Sequence, residues 1–321
     1  MVRIGYTLLG EQAGPKDLVA NAVAAERAGF DLAVASDHYF PWLDVQGHAP
    51  FVWAALGAVA QATERIELMT YVTCPIKRYH PAVVAQMAAT VGLLSDGRFT
   101  LGLGAGENLN EHVTGGGWPP VNVRHEMLGE AVHIIRALLG GEYVSFSGEH
   151  FQVDSAKLWD VGSAPPRIGV AVSGQQSCRL AGEHGDVMIG VEPKPELGAM
   201  FDAAGGAGKP RVGQVPICFN RDRDTAIKQA HELMRWFSLG WKVNAELPGT
   251  AAFAAASANT RTEDVAASIA CGDDVGAVVD AVRPYVEAGY TDVALAQIGR
   301  GSQAEFIDWA AAELLPELRQ L

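Results

Sequence analysis

The chain has 321 residues, of which 49% are hydrophobic and 19% charged, so it can fill a large core and is not disordered. Its formal net charge of −13 argues against a nucleic-acid or anionic-membrane partner, because either would favour a basic face. Four isolated cysteines and the lack of a long apolar run indicate a reducing, cytoplasmic location without a membrane span.

The first hundred residues alternate short β-branched runs with longer helical patterns. Strands are predicted to start at Arg3, Leu32, Ile66 and Phe99, roughly 30 residues apart, which is the repeat of a βα unit. Helices are predicted between them at Pro15–Ala28, Pro50–Thr63 and Pro81–Ser95. This alternation predicts a parallel sheet covered by helices.

The second part of the chain continues the repeat with two interruptions. A hairpin around Ser147-Gly148 indicates an insertion over about 140–165, and residues 237–265 form a variable excursion. Within it, we expect the Ala/Gly-rich stretch Pro248–Asn259 to be a mobile excursion before the last strand. Four further strands are predicted at 168–171, 187–191, 213–219 and 292–297. Eight strands, each followed by a helix, predict one (β/α)₈ TIM-barrel domain over residues 1–321.

Catalytic residues of such a barrel lie where strands end, so the loop after the second strand is a candidate site. It contains Asp37 and His38 between aromatic residues. An aspartate beside a histidine can position a neutral imidazole as a proton acceptor. The alternative is that the pair only caps the next segment.

The loop after the fourth strand, Gly102–His112, contains three glycines in a GxGxG pattern. It does not match the dinucleotide-binding fingerprint, because Glu107 stands where that motif needs glycine. Small residues could still let a flat ligand lie against the backbone, with Glu107 and Asn110 as polar contacts. The alternative is a glycine-rich strand exit that the barrel geometry requires.

The turn at Val172–Gln176 leads into a helix and suits a phosphate group, because the first N–H groups of a helix are free. A simple helix cap is the alternative. His231-Glu232 resembles the start of a zinc-protease motif, but Arg235 stands at the second histidine position. The nine histidines show no paired ligand spacing, so no metal site is predicted.

Four segments together resemble the luciferase-like monooxygenase family, in particular its branch that uses the deazaflavin coenzyme F-420. They are SDHYFPW, TYVTCP with RYHPAVVAQ, GRFTLGLGAGENLNEH, and WPPVNVRHEML. The resemblance implies a luciferase-like barrel, coenzyme F-420, hydride transfer at the deazaflavin C5 and a homodimer. FMN is the alternative coenzyme, since other members of the family are FMN-dependent monooxygenases.

The same resemblance implies roles for individual residues. His38 would be the base, Trp42 would lie beside the reacting centre, and Glu107 would be the acid. The bond between Tyr71 and Val72 would be a non-proline cis peptide behind the ring. The coenzyme contacts implied in this way are Asp37, Tyr71, Val72, Thr73, Gly106, Asn110, Val172, Ser173, Gly174 and Gln175.

The substrate is the point at which the sequence departs from the branch's sugar-phosphate enzymes. Those enzymes hold the substrate phosphate with three basic residues, and only Lys194 matches one of them. We therefore expect an alcohol or carbonyl compound as the small-molecule substrate. The alternatives are a glucose-6-phosphate dehydrogenase, an FMN-dependent monooxygenase and a non-catalytic coenzyme-binding barrel.

Overall fold

A computed structural model of the protein describes residues 2–321. Its strands are β1 (Arg3–Leu8), β2 (Leu32–Ala35), β3 (Glu67–Thr70), β4 (Phe99–Leu103), β5 (Val144–Ser147), β6 (Gln152–Ala156), β7 (Arg167–Ala171), β8 (Val187–Gly190), β9 (Arg211–Cys218), β10 (Ala270–Cys271) and β11 (Asp292–Gln297). All eight barrel strands predicted from the sequence are among them, with small differences at their ends.

The helices follow the strands along the chain, and several carry sequence signals at their first residue. Proline begins three of them, at Pro15, Pro81 and Pro195, where the missing N–H costs nothing. The helices are α1 (Pro15–Ala28), α2 (Val52–Ala62), α3 (Pro81–Leu94), α4 (Asn108–Glu111), α5 (Val121–Leu139), α6 (Gln175–His184), α7 (Pro195–Phe201), α8 (Arg223–Met234), α9 (Trp241–Asn244), α10 (Gly249–Ala256), α11 (Thr262–Ser268), α12 (Val275–Glu287), α13 (Gln303–Trp309) and α14 (Leu315–Leu318).

Eight parallel strands close into a barrel, in the order β1, β2, β3, β4, β7, β8, β9 and β11, with β11 paired to β1. The short strand β10 pairs with the end of β9. Alternation along each strand separates two cores. In β2, Leu32 and Val34 pack inside the barrel, whereas Ala33 and Ala35 face the surrounding helices. The predicted (β/α)₈ barrel is confirmed.

The two interruptions of the repeat have different outcomes. Strands β5 and β6 form the predicted antiparallel hairpin between α5 and β7. In the second, the stretch Pro248–Asn259 contains the helix α10 (Gly249–Ala256), and Phe253 is fully buried. Its alanine run has high helix propensity, and the buried phenylalanine anchors the helix.

No helix within residues 2–321 combines the length and the apolar character needed to cross a membrane.

Candidate active site

A cavity of about 390 Å³ lies at the carboxyl ends of the barrel strands. Its wall is formed by the loops after β1, β2, β3, β4, β7 and β8 and by the segment 234–245. The predicted site residues that line it are His38, Trp42, Glu107, Asp37, Tyr71, Val72, Gly106, Asn110, Val172 and Ser173. The predicted site residues outside the lining are Thr73, Gly174, Gln175 and Lys194.

His38 lies in the cavity wall between two carboxylates. Its Nδ1 is 3.3 Å from Oε1 of Glu11, and its Nε2 is 3.4 Å from Oε2 of Glu107. Nδ1 is also 3.1 Å from the backbone carbonyl oxygen of Phe40. Because a carbonyl oxygen can only accept a hydrogen bond, we place the proton of the neutral ring on Nδ1. Nε2 is then the free proton acceptor.

Asn110 connects the histidine loop to Glu107. Its Nδ2 donates to Oε2 of Glu107 at 2.8 Å, and its Oδ1 accepts from the backbone N–H groups of Tyr39 and Phe40. Burial raises the pKa of Glu107, against the opposing effect of His38. The carboxyl group therefore keeps its proton to a higher pH than an exposed glutamate would.

Both carboxylate oxygens of Asp37 accept hydrogen bonds from the protein itself. Oδ1 accepts from Nη2 of Arg78 at 3.0 Å and from the Tyr79 hydroxyl at 3.3 Å. Oδ2 accepts from Oγ1 of Thr73 at 2.9 Å and from Nε1 of Trp53 at 3.1 Å. These bonds anchor the loop that carries the histidine. The predicted coenzyme contact of Asp37 stays a prediction.

Arg78 also binds Glu111, a fully buried residue that borders the cavity. The backbone N–H of Arg78 donates to Oε2 of Glu111 at 2.8 Å, and the side-chain Nε of Arg78 is 3.4 Å from Oε1 of Glu111. Burial raises the pKa of Glu111 to about 7, although Arg78 opposes the shift. A charge network of two carboxylates and one arginine thus lies behind the loop that carries His38.

An aromatic wall closes the cavity beside His38. The ring centroid of Trp42 lies 5.1 Å from that of His38 and 3.9 Å from that of Trp236, with the two indoles nearly parallel at 11°. Phe253 meets Trp42 edge-on at 5.0 Å. Trp236 therefore lines the wall next to His38, and Phe253 of the excursion packs against the Trp42 that lines it.

Small residues and the segment Tyr71–Val72 also line the cavity. The Tyr71–Val72 peptide bond is cis, as predicted, and the Tyr71 hydroxyl donates to the carbonyl oxygen of Gly190 at 2.9 Å. Gly106 has a φ of +78°, and a Cβ there would lie 2.3 Å from Sγ of Cys74. This part of the lining thus has no room for larger side chains.

The barrel itself requires a glycine at position 102. A Cβ at Gly102 would lie 1.9 Å from the carbonyl oxygen of Thr70, so the two neighbouring strands could not approach as they do. The interpretation of the glycine pattern as a strand exit that the barrel requires is supported at this position. Gly104 and Ala105 line the cavity as well.

The turn before α6 is capped by the protein. The backbone N–H groups of Ser173 and Gly174 donate to Oγ of Ser177 at 2.9 and 3.2 Å. Next to the turn, Nδ1 of His125 lies 3.0 Å from Oε1 of Gln176. The structure therefore shows the cap, and phosphate binding by this turn stays a prediction.

Lys194 precedes α7, and its Nζ donates to Oε2 of Glu192 at 2.9 Å. Two basic residues of the variable excursion, Lys242 and Arg261, lie outside the lining as well. Arg261 pairs with Asp264 at 2.6 Å. The structure does not bring these cations together at the cavity. Within residues 2–321, no cluster of three or more histidine, cysteine or carboxylate side chains could hold a metal ion.

Sequence reasoning missed Glu11, which lies in the loop after β1. It is 3% exposed, and its Oε1 accepts from Oγ of Ser36 at 2.8 Å. Its Oε2 has no hydrogen-bond partner among the residues that the structure describes. The rule that functional residues follow barrel strands would have found it if it had been applied to the first strand. Trp236, immediately before the variable excursion, has no comparable signal.

A family model described as luciferase-like monooxygenase matches residues 2–292. The F-420-dependent hydroxymycolic acid dehydrogenase of Mycobacterium tuberculosis is 38% identical over 98% of this chain and 88% of its own length. The F-420-dependent glucose-6-phosphate dehydrogenase of Beutenbergia cavernae is 36% identical over 99% of this chain and 98% of its own.

Among solved structures, an F-420-dependent secondary alcohol dehydrogenase in complex with an F-420–acetone adduct is similar over 99% of both chains, with a TM-score of 0.91 and 27% identity. The chain belongs to the luciferase-like monooxygenase family. Within that family it groups with the F-420-dependent dehydrogenases and is an oxidoreductase. The predictions of family and enzyme class are confirmed.

Proposed function

We propose that this oxidoreductase moves a hydride between coenzyme F-420 and an uncharged alcohol or the corresponding carbonyl compound. The observation that carries the proposal is the position of His38 between Glu11 and Glu107 in a cavity without an unpaired lysine or arginine among residues 2–321. The one arginine that lines the cavity within this range, Arg124, is paired with Glu246 at 2.7 Å. The similar secondary alcohol dehydrogenase supports this substrate class.

The residues present fit a flat deazaflavin ring. Gly104, Ala105 and Gly106 line the cavity with little or no side chain, and His38 and Glu107, which can accept or hold a proton, line it as well. Tyr71 and Val72, joined by the cis bond, belong to the same lining. When bound, F-420 supplies two-electron hydride chemistry, and the protein supplies orientation and proton transfer.

Oxidation of the alcohol breaks one O–H and one C–H bond and forms a carbonyl group. In our proposal Nε2 of His38 takes the hydroxyl proton, since Nδ1 keeps its own proton toward Phe40. The carboxylate of Glu11 stabilises the positive charge that this transfer creates on the ring. Glu107, with its raised pKa, is the proton donor for negative charge that develops in the cavity.

The charges that line the cavity disfavour a phosphorylated substrate. Five carboxylates line it: Glu11, Asp37, Glu107, Glu111 and Glu192. A buried phosphate dianion needs paired positive charge and directed donors. Each missing charge-assisted contact costs on the order of 1.5–3 kcal/mol. Two such losses correspond to about 10²–10⁴ in kcat/KM.

Steady-state assays with F-420 and a substrate panel test the proposal. We expect secondary alcohols or ketones to be turned over and glucose-6-phosphate to be about 10²-fold to 10⁴-fold poorer in kcat/KM. A kcat/KM above about 10⁴ M⁻¹s⁻¹ for glucose-6-phosphate would contradict the substrate class.

Binding experiments distinguish the two candidate coenzymes. F-420 should bind with a dissociation constant of about 1 μM or tighter, which corresponds to about −8 kcal/mol, and FMN much more weakly. Coenzyme fluorescence followed during titration measures both. Tight binding of FMN without binding of F-420 would favour a flavin-dependent monooxygenase.

We also propose a homodimer formed by α2 and α3. These helices contain no charged residue, although the whole chain carries a net charge of −13. Two copies repel each other least where they carry no charge. Val83, Leu93 and Leu94 on α3 are exposed and apolar, and a second copy would cover them.

Sedimentation velocity tests the dimer. The wild-type protein should sediment as a dimer, and Val83→Asp should shift it to a monomer. Met200→Asp, at an exposed apolar position on α7, is the matched control and should leave the dimer intact. A monomeric wild-type protein would refute the interface.

The four free, buried cysteines support a reducing compartment, consistent with the cytoplasmic prediction.

A further inference from the structure

Three large apolar side chains that line the cavity are also exposed, and together we call them the apolar rim. Val121 is 53% exposed, Val191 is 40% exposed and Trp241 is 38% exposed. They come from the start of α5, the loop after β8 and the start of α9. Single exposed apolar residues are ordinary, whereas several that border one opening mark a binding surface for an apolar group.

The segment that carries the tryptophan of the rim is held against the barrel. The carbonyl oxygen of Ala245 accepts hydrogen bonds from the backbone N–H of Asn108 and from Nε1 of Trp118, both at 3.1 Å. Nη2 of Arg124 pairs with Glu246 at 2.7 Å. These contacts hold the apolar rim at the mouth of the cavity.

The cavity is small for both a coenzyme ring and a long substrate. Its volume of about 390 Å³ lies near the lower end of the range of roughly 300–1,000 Å³ for ligand pockets. A deazaflavin ring placed against Gly104 and Gly106 would leave room for the reacting carbon and a short chain. A longer substrate has to leave the cavity through its mouth, where the apolar rim lies.

We propose that the substrate is an amphipathic alcohol or ketone whose uncharged apolar chain leaves the cavity across the apolar rim. The inference rests on the proposed function, which places the reacting carbon near His38. The chain would pass Val191 and Trp241, and it would carry no negative charge, because Glu192 lies next to Val191 in the same lining. The rim thus selects for chain length.

A series of secondary alcohols from about four to about ten carbons, assayed with F-420, tests the inference. Each methylene that covers the rim should raise kcat/KM about fourfold, until added carbons extend past the rim and the increase stops. Binding of the corresponding ketones, measured by titration calorimetry without turnover, should show the same dependence on length.

Substitutions at exposed tryptophans locate the effect. Trp241→Ser should lower kcat/KM about tenfold for the longest alcohols and leave the shortest nearly unchanged. Trp159→Ser is the matched control, because Trp159 is 78% exposed and does not line the cavity. It should change neither value. The affinity for F-420 should be the same in both variants.

The outcomes separate this inference from the proposed function. Equal kcat/KM across the series, with normal turnover, would overturn the apolar rim and leave the function intact. Loss of F-420 affinity in Trp241→Ser would also overturn it, because the rim would then bind the coenzyme. If F-420 binds and no alcohol or ketone reacts, the proposed function fails, and ketone binding still tests the rim.

Discussion

The two sides of the cavity are built in different ways. On one side, the loops after β1, β2 and β4 hold His38, Asp37 and Glu107 in a dense network of hydrogen bonds and ion pairs. On the other side, Trp236 and the excursion that follows it contribute aromatic side chains such as Trp241, and few polar contacts hold this segment.

This difference suggests a division of roles. Groups that move protons must keep their distances to within tenths of an ångström, and strand ends of a closed barrel provide that rigidity. Groups that select a substrate need only shape and apolar area. A segment outside the barrel can supply these and can vary without disturbing the catalytic network.

The largest expected effect lies on the side of the cavity that contains His38. His38→Ala should lower kcat about 10²-fold to 10⁴-fold, because the proton acceptor is lost, and should leave the F-420 dissociation constant nearly unchanged. Steady-state kinetics and coenzyme titration measure the two quantities. His133→Ala, at an exposed position on α5, is the control. Full activity in the His38→Ala enzyme would show that His38 has only a structural role.

The next effect concerns the buried charge network. The pKa of Glu111 is raised to about 7 from an ordinary value of 4.5, so the folded protein binds more protons than the unfolded chain between these pH values. Its contribution to stability therefore falls as the pH rises from about 5 to 7 and is constant above.

Glu111→Gln should remove this dependence. The difference in unfolding free energy between variant and wild type should change by on the order of 3 kcal/mol between pH 5 and pH 8, in favour of the variant at high pH. Urea denaturation at several pH values measures it. If the unfolding free energies of the two proteins changed in parallel with pH, the raised pKa of Glu111 would be contradicted.

A smaller effect is expected at Glu11. Glu11→Gln keeps an acceptor for Ser36 and removes the negative charge that stabilises protonated His38. The value of kcat should fall about 10-fold to 100-fold, or about 1.4–2.7 kcal/mol, while KM stays nearly constant. A rise in KM at unchanged kcat would instead identify Glu11 as a substrate contact.

The smallest effect is expected on the excursion side. Glu246→Gln breaks the pair with Arg124 and should cost about 1 kcal/mol, or about 2 °C in Tm. Hydrogen exchange should increase in residues 241–247, with short-alcohol turnover unchanged. Glu183→Gln, which breaks an exposed pair with Arg179, is the control. Equal exchange in the two variants would show that the pair does not hold this segment.

The side of the cavity that contains His38 was largely predictable from the sequence. The regular spacing of strands placed Asp37 and His38 after the second barrel strand and Glu107 after the fourth, at the same end of the barrel. The cis bond at Tyr71–Val72 came from the family resemblance. The sequence pattern placed the end of the first strand at Tyr6, whereas β1 extends two residues further, to Leu8. Glu11 was missed because the loop after this strand was not considered.

The excursion was not predictable in the same way. Its sequence around Gly249–Ala256 is a run of small residues without a hydrophobic period, so no buried face could be assigned. Phe253 is buried because it packs against Trp42, about 200 residues earlier in the chain. Such a contact depends on the finished barrel and leaves no local pattern.

The stacked pair of Trp42 and Trp236 limits how far the two sides can evolve separately. One indole belongs to the loop that carries His38 and the other immediately precedes the excursion, and their ring centroids lie 3.9 Å apart. Redesign of substrate range should therefore begin at Trp241, which is 38% exposed at the mouth. A change at Trp236 would alter selectivity and turnover together, so the stack marks the inner boundary of the region open to engineering.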